Sequence, residues 1–244
     1  FGQVISGLLQ DKIEDRLKKN EQVILLQNRR GFSPIIRCGD CGQTIMCFNC
    51  NVAISYHLKT NNLICHFCGS KKEIQNQNCI DCKSKNLIYS GTGTQKVELL
   101  IKETFPKARV KRLDMDTSLS GGSITNILKE FNNGEIDILL GTQMIAKGLD
   151  FPNATLVGII NADQGLYLPD FRAGERIFQL IYQASGRSGR RSKQGEVVIQ
   201  TYSSENPVIK SAAKLNMVEY YKIALKEREE LDYPPFSWLA KIEI

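Results

Sequence analysis

Apolar positions recur with a period near 3.6 at the start of the chain. Ile5, Leu8, Leu9, Ile13 and Leu17 fall along one side of residues 4–19, which predicts an amphipathic helix. The period then changes. Val23-Ile24-Leu25-Leu26 is a short continuous apolar run of the kind shown by a strand buried on both faces, and it ends in Asn28-Arg29-Arg30-Gly31. Further strands are expected at 86–89, 110–113, 136–140, 156–160 and 196–200. Helical spacing lies between them at 95–104, stopped by Pro106, at 123–132, closed by Asn133-Gly134, and at 173–186. Strands alternating with helices predict an α/β fold: a parallel sheet with helices on both faces. Sites in such sheets form beyond the carboxyl ends of the strands, and the polar turns after 26, 90, 113 and 140 are expected there.

The pattern changes again after residue 204. Residues 206–231 read as one or two charged helices, Tyr233-Pro234-Pro235-Phe236 as a break, and 238–244 as one more strand. Phe236 and Trp238 read as core of a further domain that begins there. The start, Phe1-Gly2-Gln3-Val4, has no Met and no charged segment followed by an apolar one, so the sequence reads as a piece of a longer chain. The expected organisation is a first part of one domain at 1–34, an inserted module at 35–85, the remainder of the domain at 86–204, and the start of another at 205–244.

Composition narrows the class without deciding it. With 42% hydrophobic and 24% charged residues, disordered and coiled-coil readings drop out. No apolar stretch reaches the roughly 18 residues a membrane helix needs, so no membrane association is expected. The net charge of +6 fits a nucleic-acid binder but is a weak argument. If the cysteines are thiolates around two zinc ions, it falls to about +2.

All eight cysteines lie between residues 38 and 82, as four C-x-x-C pairs: Cys38/Cys41, Cys47/Cys50, Cys65/Cys68 and Cys79/Cys82. Two intervening residues let both sulfurs reach one ion from a tight turn, and two pairs close a tetrahedral site. Four pairs therefore predict two structural Zn²⁺ ions with no open coordination position. Disulfide frameworks belong to small secreted domains, and a redox motif needs one pair rather than four. Spacing alone leaves open which pair joins which. His57 and His66 read as surface or hydrogen-bonding residues rather than ligands. Phe48, Tyr56 and Phe67 either fill a small core or stack on bases.

Two further segments carry chemistry. Gln183-Ala-Ser-Gly186-Arg187-Ser-Gly189-Arg190 sits near the end of an expected helix. Arg187 and Arg190 are three apart and share a face if the helix persists, and a guanidinium fork suits phosphate oxygens. Gly141-Thr142-Gln143-Met144-Ile145-Ala146-Lys147-Gly148-Leu149-Asp150-Phe151-Pro152 joins a strand end to a glycine-punctuated loop with one cation and one carboxylate. No G-x-x-x-x-G-K-[ST] is present, so the chain cannot cradle a nucleoside triphosphate by itself. Asp114 and Asp116 read as a strand end and a helix cap rather than a catalytic pair. Arg29 and Arg30 suit either a phosphate contact or internal ion pairs.

Residues 183–190 resemble motif VI (Q-x-x-G-R-x-G-R) of superfamily-two helicases, and 141–152 resemble their motif V. With Asn28-Arg29-Arg30-Gly31, the four cysteine pairs, Gly91-Thr92-Gly93-Thr94, Arg112-Leu113-Asp114-Met115-Asp116 and Asp170-Phe171-Arg172-Ala173, the chain resembles the bacterial replication-restart DNA helicases over essentially its full length. It departs from them at Gln95, where Glu is usual, and at Ser188, where Ala is usual; both proposed arginines remain.

The resemblance implies a RecA-like second helicase lobe with a zinc-binding insertion, followed by the start of a C-terminal domain. It implies that the P-loop and the Mg²⁺ carboxylates belong to a first lobe outside this sequence. Arg187 and Arg190 would face the γ-phosphate of ATP, with Arg190 as arginine finger. Gln183, Gly148 and Asp150 would couple nucleotide to DNA, and Thr142, Gln143 and Lys147 would contact a DNA strand. It also implies nested zinc pairing, with Cys38, Cys41, Cys79 and Cys82 on one ion and Cys47, Cys50, Cys65 and Cys68 on the other. The implied partners are forked or single-stranded DNA, primosome proteins and single-stranded-DNA-binding protein, in the bacterial cytoplasm. The rival class is a zinc-ribbon binding module without motor function. It accounts for the cysteines but not for 141–152 or 183–190.

Overall fold

The computed structural model describes residues 4–27, 35–47, 49, 53–57, 62–65, 68–73, 78–79, 82–90, 94–113, 124–142, 145, 151–168, 170–186 and 195–240. In chain order the elements are α1 (Gly7–Lys18), β1 (Gln22–Leu26), β2 (Ile35–Cys38), β3 (Ser55–His57), β4 (Asn62–Ile64), β5 (Lys71–Glu73) and β6 (Leu87–Ser90). There follow α2 (Thr94–Thr104), β7 (Val110–Leu113), α3 (Ile124–Asn132), β8 (Ile138–Gly141), β9 (Ala154–Ile159) and α4 (Asp163–Leu166). The last are α5 (Ala173–Ser185), β10 (Glu196–Ile199), α6 (Pro207–Ala213) and α7 (Met217–Glu230). The chain forms two compact units, one of residues 1–34, 89–164 and 183–202 and the other of 35–88, 165–182 and 203–244.

The first unit holds a five-stranded sheet in the order β10-β9-β1-β8-β7, with every adjacent pair parallel. β1 is central: Val23 lies opposite Ile138 on one side and Leu156 on the other. Every residue of β1, β8 and β9 is buried, which is why these strands read as unbroken apolar runs rather than alternating ones. Val23, Leu25, Ile138, Leu140 and Leu156 share one core cluster with Leu9 and Ile13 of α1 and Val97 and Ile101 of α2. Gln22 is the polar exception in β1. Its buried amide donates to the carbonyls of Phe131 (2.6 Å) and Ile136 (2.7 Å), so its burial leaves no donor wasted.

Ser6 caps α1, its Oγ accepting from the Leu9 N–H at 3.3 Å. The segment before this cap is itself fastened. The Ser6 N–H donates to Gln200 Oε1 (2.7 Å), and Gln200 Nε2 donates to the carbonyls of Val4 (3.0 Å) and Ile160 (2.7 Å). The helix lies close on β9 because Gly158 has no side chain. A Cβ there would sit 2.7 Å from Leu25 Cδ2 and 2.9 Å from Leu9 Cδ1, both on fully buried residues.

The second unit contains a smaller sheet in the order β5-β4-β3-β2-β6, antiparallel from β2 to β5. Its core is Ile36, Ile45, Cys47, Ile54, Leu63 and Cys65, with Tyr56 and Leu87 packed against it. Here the structure corrects the sequence reading. The strand expected at 86–89 does exist, but it pairs with β2 and is not a member of the parallel sheet. The Asn86 carbonyl accepts from the Gly39 N–H at 2.7 Å, and Leu87 serves the small core. Residues 91–94 therefore do not follow a strand of the parallel sheet.

The same unit carries most of α5, together with α6 and α7. Asn206 caps α6, with Pro207 in its first turn, and Asn216 caps α7 by accepting from the Glu219 N–H at 3.1 Å. Residues 238–240 form no strand, and 241–244 lie outside the described residues. Trp238 is 99% exposed and Phe236 48%, so neither is core here; no strand among the described residues pairs with this stretch.

Gly158→Ala should lower stability by about 1–3 kcal/mol through overpacking between α1 and β9, measured as a shift in the urea midpoint at constant m-value.

Candidate functional site

Among the described residues, the cysteine pairs build one local device three times over. In the first, the Gly42 N–H donates to the Cys38 carbonyl (3.0 Å) and the Cys38 N–H to the Gln43 carbonyl (2.8 Å). In the second, Gly69 donates to Cys65 (2.8 Å) and Cys65 to Ser70 (2.9 Å). In the third, Lys83 donates to Cys79 (3.0 Å) and Cys79 to Ser84 (2.8 Å). Each turn folds both sulfurs to one side, and the residue after the second cysteine must then adopt positive φ. That residue is Gly42 (76°), Gly69 (73°) or Lys83 (60°). Glycine takes this conformation freely; lysine does so at a cost. The sequence signal was available as C-x-x-C-G at 38–42 and 65–69.

The knuckles assemble into two clusters. The sulfurs of Cys38, Cys41, Cys79 and Cys82 lie within 4.8 Å of one another, as do those of Cys47, Cys65 and Cys68. This is the nested arrangement; Cys50 lies outside the described residues. Cys38 and Cys82 sulfurs lie 3.4 Å apart, Cys41 and Cys79 3.5 Å, and Cys47 and Cys68 3.7 Å. A tetrahedron with Zn–S bonds of about 2.3 Å has an edge of ~3.8 Å, so the clusters fit zinc.

The electrostatics point the same way. The Cys38 thiol is pulled down to about 6, chiefly by the Cys41 backbone N–H. The Gln43 N–H acts to lower Cys41, but burial and the facing thiols of Cys79, Cys82 and Cys38 push it up to about 12. Sulfurs this close cannot all be thiolates unless a cation lies among them. Ser70 Oγ, 3.4 Å from Cys47 Sγ, adds a hydrogen bond at the second cluster. Tyr56 is half-buried against the module's core, which fits the filler reading, and His57 lies in β3 opposite Asn62.

The second candidate region is the carboxyl edge of the parallel sheet. Gly141 ends β8 where a Cβ would lie 2.5 Å from the Leu113 carbonyl and 2.3 Å from Ile145 Cδ1, so glycine is sterically required. Thr142 follows it, half-buried, at the end of the strand. Gln183 is half-buried in the last turn of α5, which ends at Ser185. Gln143, Lys147, Gly148, Asp150, Arg187 and Arg190 lie outside the described residues, as do Arg29, Arg30, Phe48, His66, Phe67, residues 91–93, Asp114 and Asp116.

The sequence reading missed a polar group at this edge. Asp163, fully buried just beyond β9, accepts from Thr201 Oγ1 (3.1 Å) and the Tyr202 N–H (2.9 Å). It ties the exit of β9 to the exit of β10. Gln27, also buried, donates to Gln164 Oε1 at 3.3 Å. The signal was Asn161-Ala162-Asp163-Gln164, directly after an apolar strand, at the place where such sheets carry function.

The RecA-like parallel sheet, interrupted in sequence by a cysteine-rich insertion, is that of a helicase C-terminal lobe, as the family match shows. Residues 53–192 match the family model described as helicase conserved C-terminal domain, and the chain belongs to that family. It is similar to replication restart protein PriA of Bacillus subtilis (strain 168), with 42% identity over 236 residues covering 97% of this chain and 29% of that protein. The protein of the same name from Chlamydia trachomatis is 43% identical, over 94% of this chain and 30% of its own length. That from Haemophilus influenzae is 40% identical, over 98% and 33%. The chain thus spans about three tenths of the relatives it matches. No helix among the described residues is long and apolar enough to cross a membrane.

Lys83→Gly should stabilise the zinc-loaded protein by about 1 kcal/mol, read as a raised unfolding midpoint. Chelation should melt the small sheet, whose core is only a handful of side chains, while the parallel sheet survives. Far-ultraviolet circular dichroism followed against chelator-released zinc checks this; a parallel loss of all secondary structure contradicts it.

Proposed function

We propose that this chain is the second motor lobe of an ATP-dependent DNA helicase that unwinds DNA at stalled or abandoned replication forks and starts primosome assembly. The observation that carries the reading is the similarity at about 40% identity, along nearly the whole chain, to proteins named for replication restart. A freestanding zinc module leaves the helicase-family match across residues 53–192 unexplained.

In this reading Arg190 is the arginine finger on the γ-phosphate, and Arg187 neutralises a neighbouring phosphate oxygen. Gln183, Gly148 and Asp150 couple nucleotide state to the DNA, while Thr142, Gln143 and Lys147 touch one strand. ATP and Mg²⁺ are held chiefly by a first lobe that carries the P-loop, so the isolated chain hydrolyses no ATP. Closure of the two lobes brings the arginines to the phosphate, and opening after hydrolysis advances the motor along DNA. Two Zn²⁺ ions, one on Cys38, Cys41, Cys79 and Cys82 and one on Cys47, Cys50, Cys65 and Cys68, are structural. Closed four-thiolate sites leave no position for a reacting group. The module they hold rigid serves as a wedge at the fork or as a docking surface for partner proteins. Primosome proteins and single-stranded-DNA-binding protein are the partners this role implies, in the bacterial cytoplasm.

Arg190→Ala in the full-length protein should lower DNA-stimulated ATP turnover by about 10³-fold while leaving ATP binding nearly intact, because an arginine finger acts on the transferring phosphoryl group. Steady-state hydrolysis with saturating DNA reads the effect, and unchanged turnover refutes the reading.

A further inference from the structure

The first cysteine cluster is fastened by side chains that would ligate nothing. Its two knuckles, Cys38–Cys41 and Cys79–Cys82, come from opposite ends of the insertion. Asn86, four residues after Cys82, reaches back to the Cys38–Cys41 knuckle in three ways. Its backbone carbonyl accepts from the Gly39 N–H at 2.7 Å. Its side-chain Nδ2 donates to Asp40 Oδ1 at 2.8 Å. The same amide lies over Gly39, where a Cβ would sit 2.5 Å from Nδ2 and 2.7 Å from Cγ. Gly39 and Asp40 are the two residues between Cys38 and Cys41, so Asn86 grips the turn that aims both sulfurs.

Asn86 is also tied to the Cys79–Cys82 knuckle. Its N–H donates to Ser84 Oγ at 2.9 Å, and the Ser84 carbonyl accepts from the Cys79 N–H at 2.8 Å. The Ser84 side chain hydrogen-bonds the Asp40 carboxylate as well. A run of bonds thus leads from the Cys79 backbone through Ser84 and Asn86 to Asp40 and Gly39. None of these bonds ends on a sulfur, so the run does not need a metal to form. At the second cluster, by contrast, Ser70 Oγ lies 3.4 Å from Cys47 Sγ and Asn49 Nδ2 donates to Cys68 Sγ at 4.0 Å, so both address sulfurs directly. Bringing Cys38 and Cys82, 44 residues apart, to one ion costs loop-closure entropy. A clasp that closes the loop beforehand removes that cost from metal binding, as preorganisation does for any ligand. The Cys79–Cys82 knuckle needs the support most. Among the three described, it is the one that turns on Lys83 at positive φ rather than on glycine.

We propose that Asp40 and Asn86 are positioning residues for the metal site of Cys38, Cys41, Cys79 and Cys82, their clasp holding the two knuckles face to face so that Zn²⁺ enters a site already formed. Neither residue touches the ion in this role; both act through the turns that carry the sulfurs. The inference rests on the reading of the cysteine clusters as zinc sites.

The test is site-resolved zinc release from the full-length protein. Chelator is titrated in the presence of a thiol-alkylating reagent, and peptide mass spectrometry reads which cysteines become modified. Asp40→Ala and Asn86→Ala should each lower the chelator concentration that half-modifies Cys38, Cys41, Cys79 and Cys82 by about 10-fold, as loss of a hydrogen-bonding partner behind metal ligands does to affinity. Cys47, Cys50, Cys65 and Cys68 should keep a midpoint near the wild-type value and serve as the internal reference. The double alanine variant should lose little beyond either single one, because both remove the same Asp40–Asn86 bond. Asn86→Asp sets two carboxylates face to face and should weaken the first site at least as much. Adding Asp40→Asn to it restores a donor opposite an acceptor and should recover most of the loss. If an alanine variant fails to fold, this exchanged pair carries the same comparison at unchanged side-chain size. Wild-type protection of the first four cysteines in the folded single variants, equal loss of protection at all eight, or losses that multiply in the double variant overturn the inference alone. Wild-type protein whose cysteines are all modified without chelator overturns the zinc reading, and the inference falls with it.

Discussion

The pairing of β1 with both β8 and β9 is the constraint on which the parallel-sheet unit of this protein depends. β1 is five residues long and has no sequence neighbour in its own sheet. Both partners lie more than a hundred residues further on, and the strand that follows it within the sheet, β7, takes the far edge instead. The chain leaving β1 is therefore under no obligation to return at once. Loop-closure entropy grows only logarithmically with length, so a folded insertion at this point adds little beyond the cost of any long connection. Strands buried on both faces then do the rest: an exit residue cannot be slid along the sheet without moving an apolar residue against a foreign neighbour.

Much of this was legible in the sequence, for a physical reason. The runs at 23–26 and 136–140 read correctly because parallel strands covered on both sides admit no polar alternation. The helix expected over 4–19 is found at Gly7–Lys18 because Leu9 and Ile13 face the core, although Leu8, expected on the same side, stands exposed. The segment at 86–89 misled because strand character says nothing about which sheet will accept it. Its partner was decided by the Gly39–Asn86 hydrogen bond and by Leu87 completing a small core, contacts that span about fifty residues. Trp238 and Phe236, expected to serve the core of a further domain, stand exposed here after a pair of prolines. The strands β2–β5 were not foreseen at all. At three or four residues each, they are too short for any period to show.

The candidate sites divide along the same line. The cysteine spacing announced clustered sulfurs because a C-x-x-C turn has few ways to close. The grouping of pairs needed the fold. Asp163 was missed because a lone aspartate after a strand resembles any turn residue. Only burial, together with the convergence of Thr201 and Tyr202 on its carboxylate, separates it from hundreds of ordinary ones.

The Gln200 side chain has a mechanical meaning. Its amide holds the backbone at Val4 and Ser6 and, in the same grip, the carbonyl of Ile160. Tension applied through residues 4–6 thus does not peel α1 from its first turn, as it would if the helix were attached only by its apolar face. It loads three hydrogen bonds together, in shear, and passes directly to the carboxyl ends of β9 and β10. Asp163 cross-ties those same strand exits a few residues on, so the pull is spread over two strands of the sheet. A chain that takes load at this end behaves as a tether spliced into the parallel sheet rather than as a thread sewn to its surface.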